Sequence, residues 1–288
     1  MLTFGYANSP HGQVHYAEAG RGAPLVLLPG SARSYRQFLP LIPLLAPHHR
    51  VIAVDTYGYG ASAPLPAGGT IGTLAEGVVA VLDALDLPSA HVFGIHTGHK
   101  VAAALAADRP RRVDSVILAG KSHSIIPDRK ARNDFILARL QSRTHLREVG
   151  PAIVPPSLGE WARAFRSVSA FWWSEAVANP AVTPETIEAA RMKVIDEINS
   201  IPCTGPIYHA NFQFDFTEAV SRIRAPCLLL EITHASEDAL IGRQGEKLAA
   251  HLPGARIVTL PSVDESGFHC NADDDALAAC ILAFVRGG

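Results

Sequence analysis

The segment from His91 to Lys100, HVFGIHTGHK, constrains the fold more than any other stretch of the chain. It begins with an apolar run typical of a strand, and the residues that follow, KVAAALAADRP, have apolar positions at helical spacing. Gly94 and Gly98 flank His96, and a glycine on each side of one residue indicates a tight turn in which backbones approach too closely for side chains. The sequence therefore predicts a strand, a strained turn with an imidazole at its tip, and a helix.

Strand patterns and helical patterns alternate through the rest of the chain. The strand patterns are QVHYAEA, PLVLLPG, RVIAVDT, AHVFGI, VDSVILAG, PCLLLEI and ARIVTLP. Helical spacing of apolar residues occurs in YRQFLPLIPLLA, TLAEGVVAVLDALDL, RQGEKLAAHL and DALAACILAFVRG. Alternation of this kind favours right-handed crossovers onto a largely parallel sheet, so we predict an α/β fold.

The alternation is interrupted once, between Gly120 and Pro226. This stretch is helical in pattern and rich in aromatic residues, as in EWARAFRSVSAFWWSEAV, and it has proline-rich breaks such as VGPAIVPPSLG. A long insertion between two strands of one sheet is best accommodated outside the sheet. We therefore predict a core domain of residues 1–123 and 222–288 and a helical cap of residues 124–221.

The composition excludes several classes of partner. Hydrophobic residues make up 48% of the chain and charged residues 18%, and the formal net charge of −2 offers no basic surface for nucleic acid or an anionic membrane. The first residues do not form a leader peptide pattern, and no apolar run approaches the roughly 18 residues that a membrane span needs. We expect a cytoplasmic protein with a small-molecule substrate, which the sequence allows to be a monomer or a homodimer.

The strand, turn and helix around His96 resemble the nucleophile elbow of the α/β-hydrolase superfamily. Three further stretches resemble that family in the right order. VLLPGSARSYRQF resembles the loop that supplies one oxyanion-hole amide, and VIAVDTYGYGAS resembles the fourth strand and its turn. Asp238 in HASEDALI resembles the acid that follows the seventh strand. The resemblance implies an eight-stranded, mostly parallel sheet with helices on both faces and a cap inserted after the sixth strand.

The resemblance also implies a site. His96, Asp238 and His269 would be the catalytic residues, and the backbone amides of Ser31 and Thr97 would form the oxyanion hole. A cofactor is not implied. His96, Asp238 and His269 are residue types that can bind a metal. The family arranges these positions as a nucleophile, an acid and a base and not as metal ligands, so no metal is predicted.

The chain departs from the family pattern at the residues that matter most for chemistry. Serine, aspartate or cysteine is usual at the elbow tip, and this chain has His96. In LPSVDESGFHC, strict counting places Glu265 at the position of the family's histidine, whereas a small insertion places His269 there, and we favour His269. His99 and Lys100 stand where small residues are usual, and we expect this polar pair to face either the pocket or solvent.

Three functions are compatible with these residues. The first is a cofactor-free enzyme that hydrolyses a small, largely apolar carbonyl compound, an ester, lactone or thioester, with His96 as general base or atypical nucleophile; we prefer the base. The second is a lyase or isomerase in which His96 abstracts a proton beside a carbonyl. The third is a protein that binds a small molecule and carries a degenerate triad.

Overall fold

The computed structural model describes residues 1–122, 125–126, 129–144, 184–263 and 272–286. An eight-stranded sheet with the order β1-β2-β4-β3-β5-β6-β7-β8 forms its centre. The strands are β1 Thr3–Ser9, β2 Gly12–Ala19, β3 Pro24–Leu28, β4 Arg50–Val54, β5 Ala90–Ile95, β6 Val113–Ala119, β7 Cys227–Thr233 and β8 Arg256–Pro261. Strands β3 to β8 pair in parallel, and β2 is antiparallel to both β1 and β4. The predicted eight-stranded, mostly parallel sheet is confirmed.

Helices follow most of the strands. The described α-helices are α1 Ile42–Leu45, α2 Ile71–Ala84, α3 Thr97–Asp108, α4 Arg129–Thr144, α5 Pro184–Gln213, α6 Phe216–Ser221, α7 Ala235–Ile241, α8 Gly245–Ala249 and α9 Asp274–Val285. Two 3₁₀ turns cover Tyr35–Phe38 and Pro110–Arg112. None of the helices in the described ranges is long and apolar enough to cross a membrane.

The sheet has an apolar core on each face. One core packs α2, α3 and α6 against the sheet around residues such as Val26, Val92 and Phe216. The other packs α1 and α9 against the opposite face around Leu27, Phe93 and similar residues. Because both faces are covered, the central strands are apolar on both sides, as expected for parallel strands enclosed by helices.

Some local features of the sequence explain the helix boundaries. The stretch YRQFLPLIPLLA, which we predicted as one helix, forms a 3₁₀ turn and the short helix α1, because Pro40 and Pro43 interrupt it. Helix α2 begins at a capping box in which the Thr70 side chain accepts from the backbone of Thr73 while Thr73 bonds back to Thr70.

The predicted cap region of residues 124–221 is described in part. Helices α4, α5 and α6 lie within it. The aromatic segment around Phe171, Trp172 and Trp173 lies outside the described residues. The boundaries that we predicted for the cap and the core remain predictions.

Candidate functional site

The turn after β5 has the strained geometry expected of a nucleophile elbow. The strand ends at Ile95, α3 begins at Thr97, and His96 between them has φ 51° and ψ −115°. Few non-glycine residues adopt a positive φ, and those that do are often found where a side chain must be aimed at a site. The backbone N–H of His96 donates to the carbonyl of Ala119 at 3.1 Å, which fixes the turn to the end of β6.

Gly94 and Gly98 allow the strand and the helix to approach each other at this turn. A Cβ atom on Gly94 would lie 2.2 Å from the carbonyl oxygen of Gly98, and a Cβ atom on Gly98 would lie 2.1 Å from that of Leu28. Real Cβ atoms are not found at such distances from backbone. The predicted reason for glycine on both sides of His96 is therefore confirmed.

The imidazole of His96 lies between the chain segments that follow β3 and β6. A Cβ atom on Gly120 would lie 3.0 Å from Nδ1 of His96, and one on Gly30 would lie 3.4 Å from the Cβ atom of His96. The residue as a whole is half-buried, and its Nε2 atom is buried. These two segments thus flank the ring, a setting that limits its rotation and its access to bulk water.

The two residues predicted for the oxyanion hole lie side by side. Oγ of Ser31 and Oγ1 of Thr97 form a hydrogen bond of 2.5 Å, although the residues are 66 positions apart in sequence. Thr97 is the first residue of α3, where backbone N–H groups have no acceptor within the helix and the helix dipole is positive. Ala32, next to Ser31, has φ 58°, a left-handed conformation that shapes the loop here.

Helix α5 is attached to this loop through Asp196. The Asp196 carboxylate accepts from the backbone N–H of Ser34 at 3.0 Å, from its hydroxyl at 2.7 Å and from Arg36 at 3.2 Å. Burial raises the pKa of Asp196, and the bonds from Ser34 and the charge of Arg36 oppose that rise. A helix of the predicted cap region is thereby joined to the loop that carries Ser31.

Asn211, nearer the end of α5, contacts both residues that were predicted for the oxyanion hole. Its Nδ2 donates to Oγ1 of Thr97 at 2.9 Å and to Oγ of Ser31 at 3.4 Å. Sequence reasoning missed Asn211, because it belongs to no motif and is more than 100 residues from the elbow in sequence. Only the packing of α5 on the elbow shows its importance.

We predicted that His99 and Lys100 face either the pocket or solvent. Both residues are buried instead. His99 is 2% exposed, its Nδ1 bonds to the Ala119 carbonyl at 2.9 Å, and its ring packs on Phe216 with centroids 4.7 Å apart. Lys100 is 4% exposed and its Nζ donates to the Asn211 carbonyl at 2.9 Å. The prediction was wrong because α6 and the end of α5 cover this side of α3.

Burial of Lys100 predicts a pH dependence of stability. Burial lowers the pKa of Lys100 to about 7, while an unfolded lysine titrates near 10.4. Between these values the unfolded chain binds a proton that the folded chain does not, so this residue makes folding more favourable as pH rises, by up to about 1.4 kcal/mol per pH unit. We therefore compare the free energies of unfolding of the wild-type protein and of Lys100→Met by urea denaturation. The wild-type value minus the Lys100→Met value should increase between about pH 7 and pH 10. A difference that stays constant over that range would contradict this expectation.

The position predicted for the triad acid is part of an ion pair. Asp238 lies within α7, and its carboxylate contacts Nζ of Lys121, which immediately follows Gly120 at the carboxyl end of β6. The Lys121 side chain is 1% exposed and that of Asp238 is 27% exposed. Lys121 could have been suspected from its place at the carboxyl edge of a parallel sheet, where functional residues collect.

The two candidates for the family's histidine lie outside the part of the chain that the structure describes. The choice between His269 and Glu265 therefore remains a prediction. Asp55, which follows β4, accepts hydrogen bonds from Ala61 N at 3.0 Å and from Tyr35 N at 2.6 Å, and these bonds hold the turn after that strand. Across the described ranges, no three histidine, cysteine or acidic side chains are grouped so as to hold a metal ion.

Comparison with known proteins adds to this geometry. A family model for the alpha/beta hydrolase fold matches residues 23–141. The enol-lactonase from Burkholderia xenovorans LB400 superposes with a TM-score of 0.71 at 20% identity, over 98% of this chain and 100% of that one. At this identity the likeness concerns the fold.

Two curated relatives are named as hydrolases of small compounds. The chain is 37% identical over 114 residues to a 2-hydroxy-6-oxononadienedioate/2-hydroxy-6-oxononatrienedioate hydrolase of Paraburkholderia xenovorans (strain LB400), and the match covers 38% of this chain and 39% of that protein. It is 27% identical over 277 residues to a protein of Caulobacter sp. (strain K31) named as a carbamate hydrolase, RutD, and covers 95% of it. The chain thus spans less than half of the first relative and nearly all of the second.

Proposed function

We propose that this chain, whose residues 23–141 match the family model for the alpha/beta hydrolase fold, is an enzyme that hydrolyses a small, largely apolar carbonyl compound, an ester, lactone or thioester, without a cofactor. The observation that carries the proposal is the position of His96. It stands at the strained tip between β5 and α3, and Thr97 and its hydrogen-bonded neighbour Ser31 lie directly beside it. The relatives named as hydrolases of small compounds support the same reaction class.

In the proposed mechanism, His96 is a general base. Its neutral imidazole takes a proton from a water molecule, and the oxygen of that water bonds to the substrate carbonyl carbon. The carbonyl oxygen becomes an oxyanion, which the backbone N–H groups of Ser31 and Thr97 stabilise together with the positive end of the α3 dipole. When the tetrahedral intermediate collapses, the imidazolium returns the proton to the leaving oxygen or sulfur. The products are an acid and an alcohol or thiol.

We prefer His96 as a base rather than a nucleophile because Asp238, the predicted triad acid, is paired with Lys121. A nucleophilic imidazole would form an acyl-imidazole and would need a second base for its own activation. Asp238 is the obvious candidate for supporting such a base, and its carboxylate is engaged by Lys121. A single base that acts on water does not need this relay.

The same ion pair favours one alternative reaction. A single base beside an oxyanion hole also suits removal of a proton from the carbon next to a bound carbonyl, which is the first step of an elimination or an isomerisation. In this reaction His96 holds the proton until it is returned to the substrate or lost to solvent. Such an enzyme would exchange substrate C–H for deuterium in heavy water.

A substrate screen tests the proposal. The purified protein is incubated with p-nitrophenyl esters of short acids, with γ- and δ-lactones and with acyl thioesters, and products are followed by NMR in H₂O and D₂O. We expect hydrolysis of at least one of these classes. Deuterium exchange without hydrolysis would favour the lyase or isomerase, and inertness toward all of them would favour a binding protein.

Inhibitor labelling provides the matching test of the site. Fluorophosphonates that label serine hydrolases need an activated serine oxygen at the elbow tip, and this chain has His96 there. We expect absent or very slow labelling under conditions in which the substrate is turned over. Rapid stoichiometric modification of any serine would place the active centre elsewhere.

A further inference from the structure

Asn211 brings a side-chain amide to the residues assigned to the oxyanion hole. Its Nδ2 atom is bound to the hydroxyls of Thr97 and Ser31 at 2.9 and 3.4 Å. The residue is 4% exposed. A substrate carbonyl bound by the backbone amides of Thr97 and Ser31 would therefore lie close to the amide group of Asn211.

The backbone of Asn211 is fixed as well. It lies in the last turn of α5, where carbonyl groups have no N–H partner further along the helix. Nζ of Lys100 donates to its carbonyl at 2.9 Å, and an amine is well placed at the negative end of a helix dipole. Lys100 is thus a positioning residue for Asn211, which is held at both its backbone and its side chain.

The other end of the same amide has an unused acceptor. Oδ1 of Asn211 is buried and accepts no hydrogen bond within the part of the chain that the structure describes. Leaving a buried carbonyl oxygen without a donor is unfavourable, and a ligand that brings an N–H or O–H group to it removes that cost. With Nδ2 bonded to the two hydroxyls, the planar amide places Oδ1 on the side away from them.

We propose that Asn211 determines substrate specificity by accepting, through Oδ1, a hydrogen bond from an N–H or O–H group next to the reacting carbonyl. The substrate class narrows to carbonyl compounds that carry such a donor, for example α-hydroxy esters, rather than simple alkyl esters. This inference rests on the proposed function in one respect, namely that the substrate carbonyl binds at Ser31 and Thr97.

A binding experiment tests the inference without requiring hydrolysis. The probes are 2-hydroxyacetophenone and 2-methoxyacetophenone, two ketones that have no leaving group and differ in whether they can donate to Oδ1. Dissociation constants are measured by NMR titration. The wild-type protein should bind the hydroxy ketone about 10- to 100-fold more tightly, the usual effect of leaving a buried acceptor unsatisfied.

Variants then assign the preference to Asn211. Asn211→Leu should bind both ketones with similar affinity, and Asn211→Ala gives the same test if the leucine variant does not fold. Gln213→Leu is the matched control, because Gln213 is an exposed amide on the same helix, and it should keep the wild-type preference. If Asn211 had a purely structural role, its substitution would weaken the binding of both ketones equally.

The outcomes separate this inference from the proposed hydrolase activity. Selective ketone binding that depends on Asn211 supports the inference even if every ester and lactone in the screen is inert. Equal binding of the two ketones by the wild-type protein, binding of neither, or an unchanged preference in Asn211→Leu would each overturn it.

Discussion

Replacing His96 by alanine is expected to lower kcat/KM for the hydrolysed substrate by about 10²- to 10⁴-fold, which is the usual contribution of a positioned general base. The oxyanion amides and the surrounding fold remain in this variant. We therefore expect the catalytic rate to fall while the stability of the folded protein stays unchanged. His96→Gln should lose as much activity, because an amide keeps much of the shape and hydrogen bonding of imidazole but cannot take the proton. Steady-state kinetics with the best substrate from the screen provide the measurement.

Two further variants make this result specific. His251→Ala changes an exposed histidine far from the elbow in sequence and should leave kcat/KM unchanged. His96→Ser restores the usual residue of the family, but we expect it to stay inactive and unlabelled by fluorophosphonate, because Asp238 is paired with Lys121. Wild-type rates in His96→Ala would rule out the general base.

The elbow and the sheet could be predicted because their determinants are local. Alternating apolar runs identified seven of the eight strands, and the two glycines around His96 identified the turn. The strand that no pattern revealed is β1, Thr3–Ser9, in which Ala7 is the one fully buried residue. A strand at the edge of a sheet with so little burial has no clear alternation, and the family resemblance alone implied it.

The polar contacts of the site could not be predicted because they join distant residues. Lys121 and Asp238 are 117 positions apart, and Lys100 and Asn211 are 111 apart. Each pair depends on where α5 and α7 lie in the folded chain, next to α3 and to the end of β6 respectively, and no short motif encodes those positions. The prediction that His99 faces the pocket or solvent was wrong for the same reason, because the distant residue Phe216 of α6 covers its ring.

The elbow glycines predict the second large effect, this time on folding. Gly98→Ala would place a Cβ atom 2.1 Å from the carbonyl oxygen of Leu28 and 2.7 Å from that of Pro29. These are backbone atoms at the end of β3, a strand that pairs on both sides with β4 and β5. The strand cannot yield without breaking its pairing, so α3 must move away from the sheet. We expect a loss of about 3 kcal/mol or more in the free energy of unfolding, at the upper end of the range for overpacked cores.

Gly72→Ala is the matched control for this substitution. Gly72 lies in the first turn of α2, and a Cβ atom there would meet one neighbour, Oγ1 of Thr70, at an ordinary 3.4 Å. Alanine is favoured over glycine within a helix by roughly 0.5–1 kcal/mol, so this variant should unfold at the same or a slightly higher urea concentration than the wild type. Urea denaturation followed by circular dichroism compares the three proteins. If Gly98→Ala proved as stable as Gly72→Ala, α3 could not approach β3 as closely as described, and the strained turn that presents His96 would lose its structural basis.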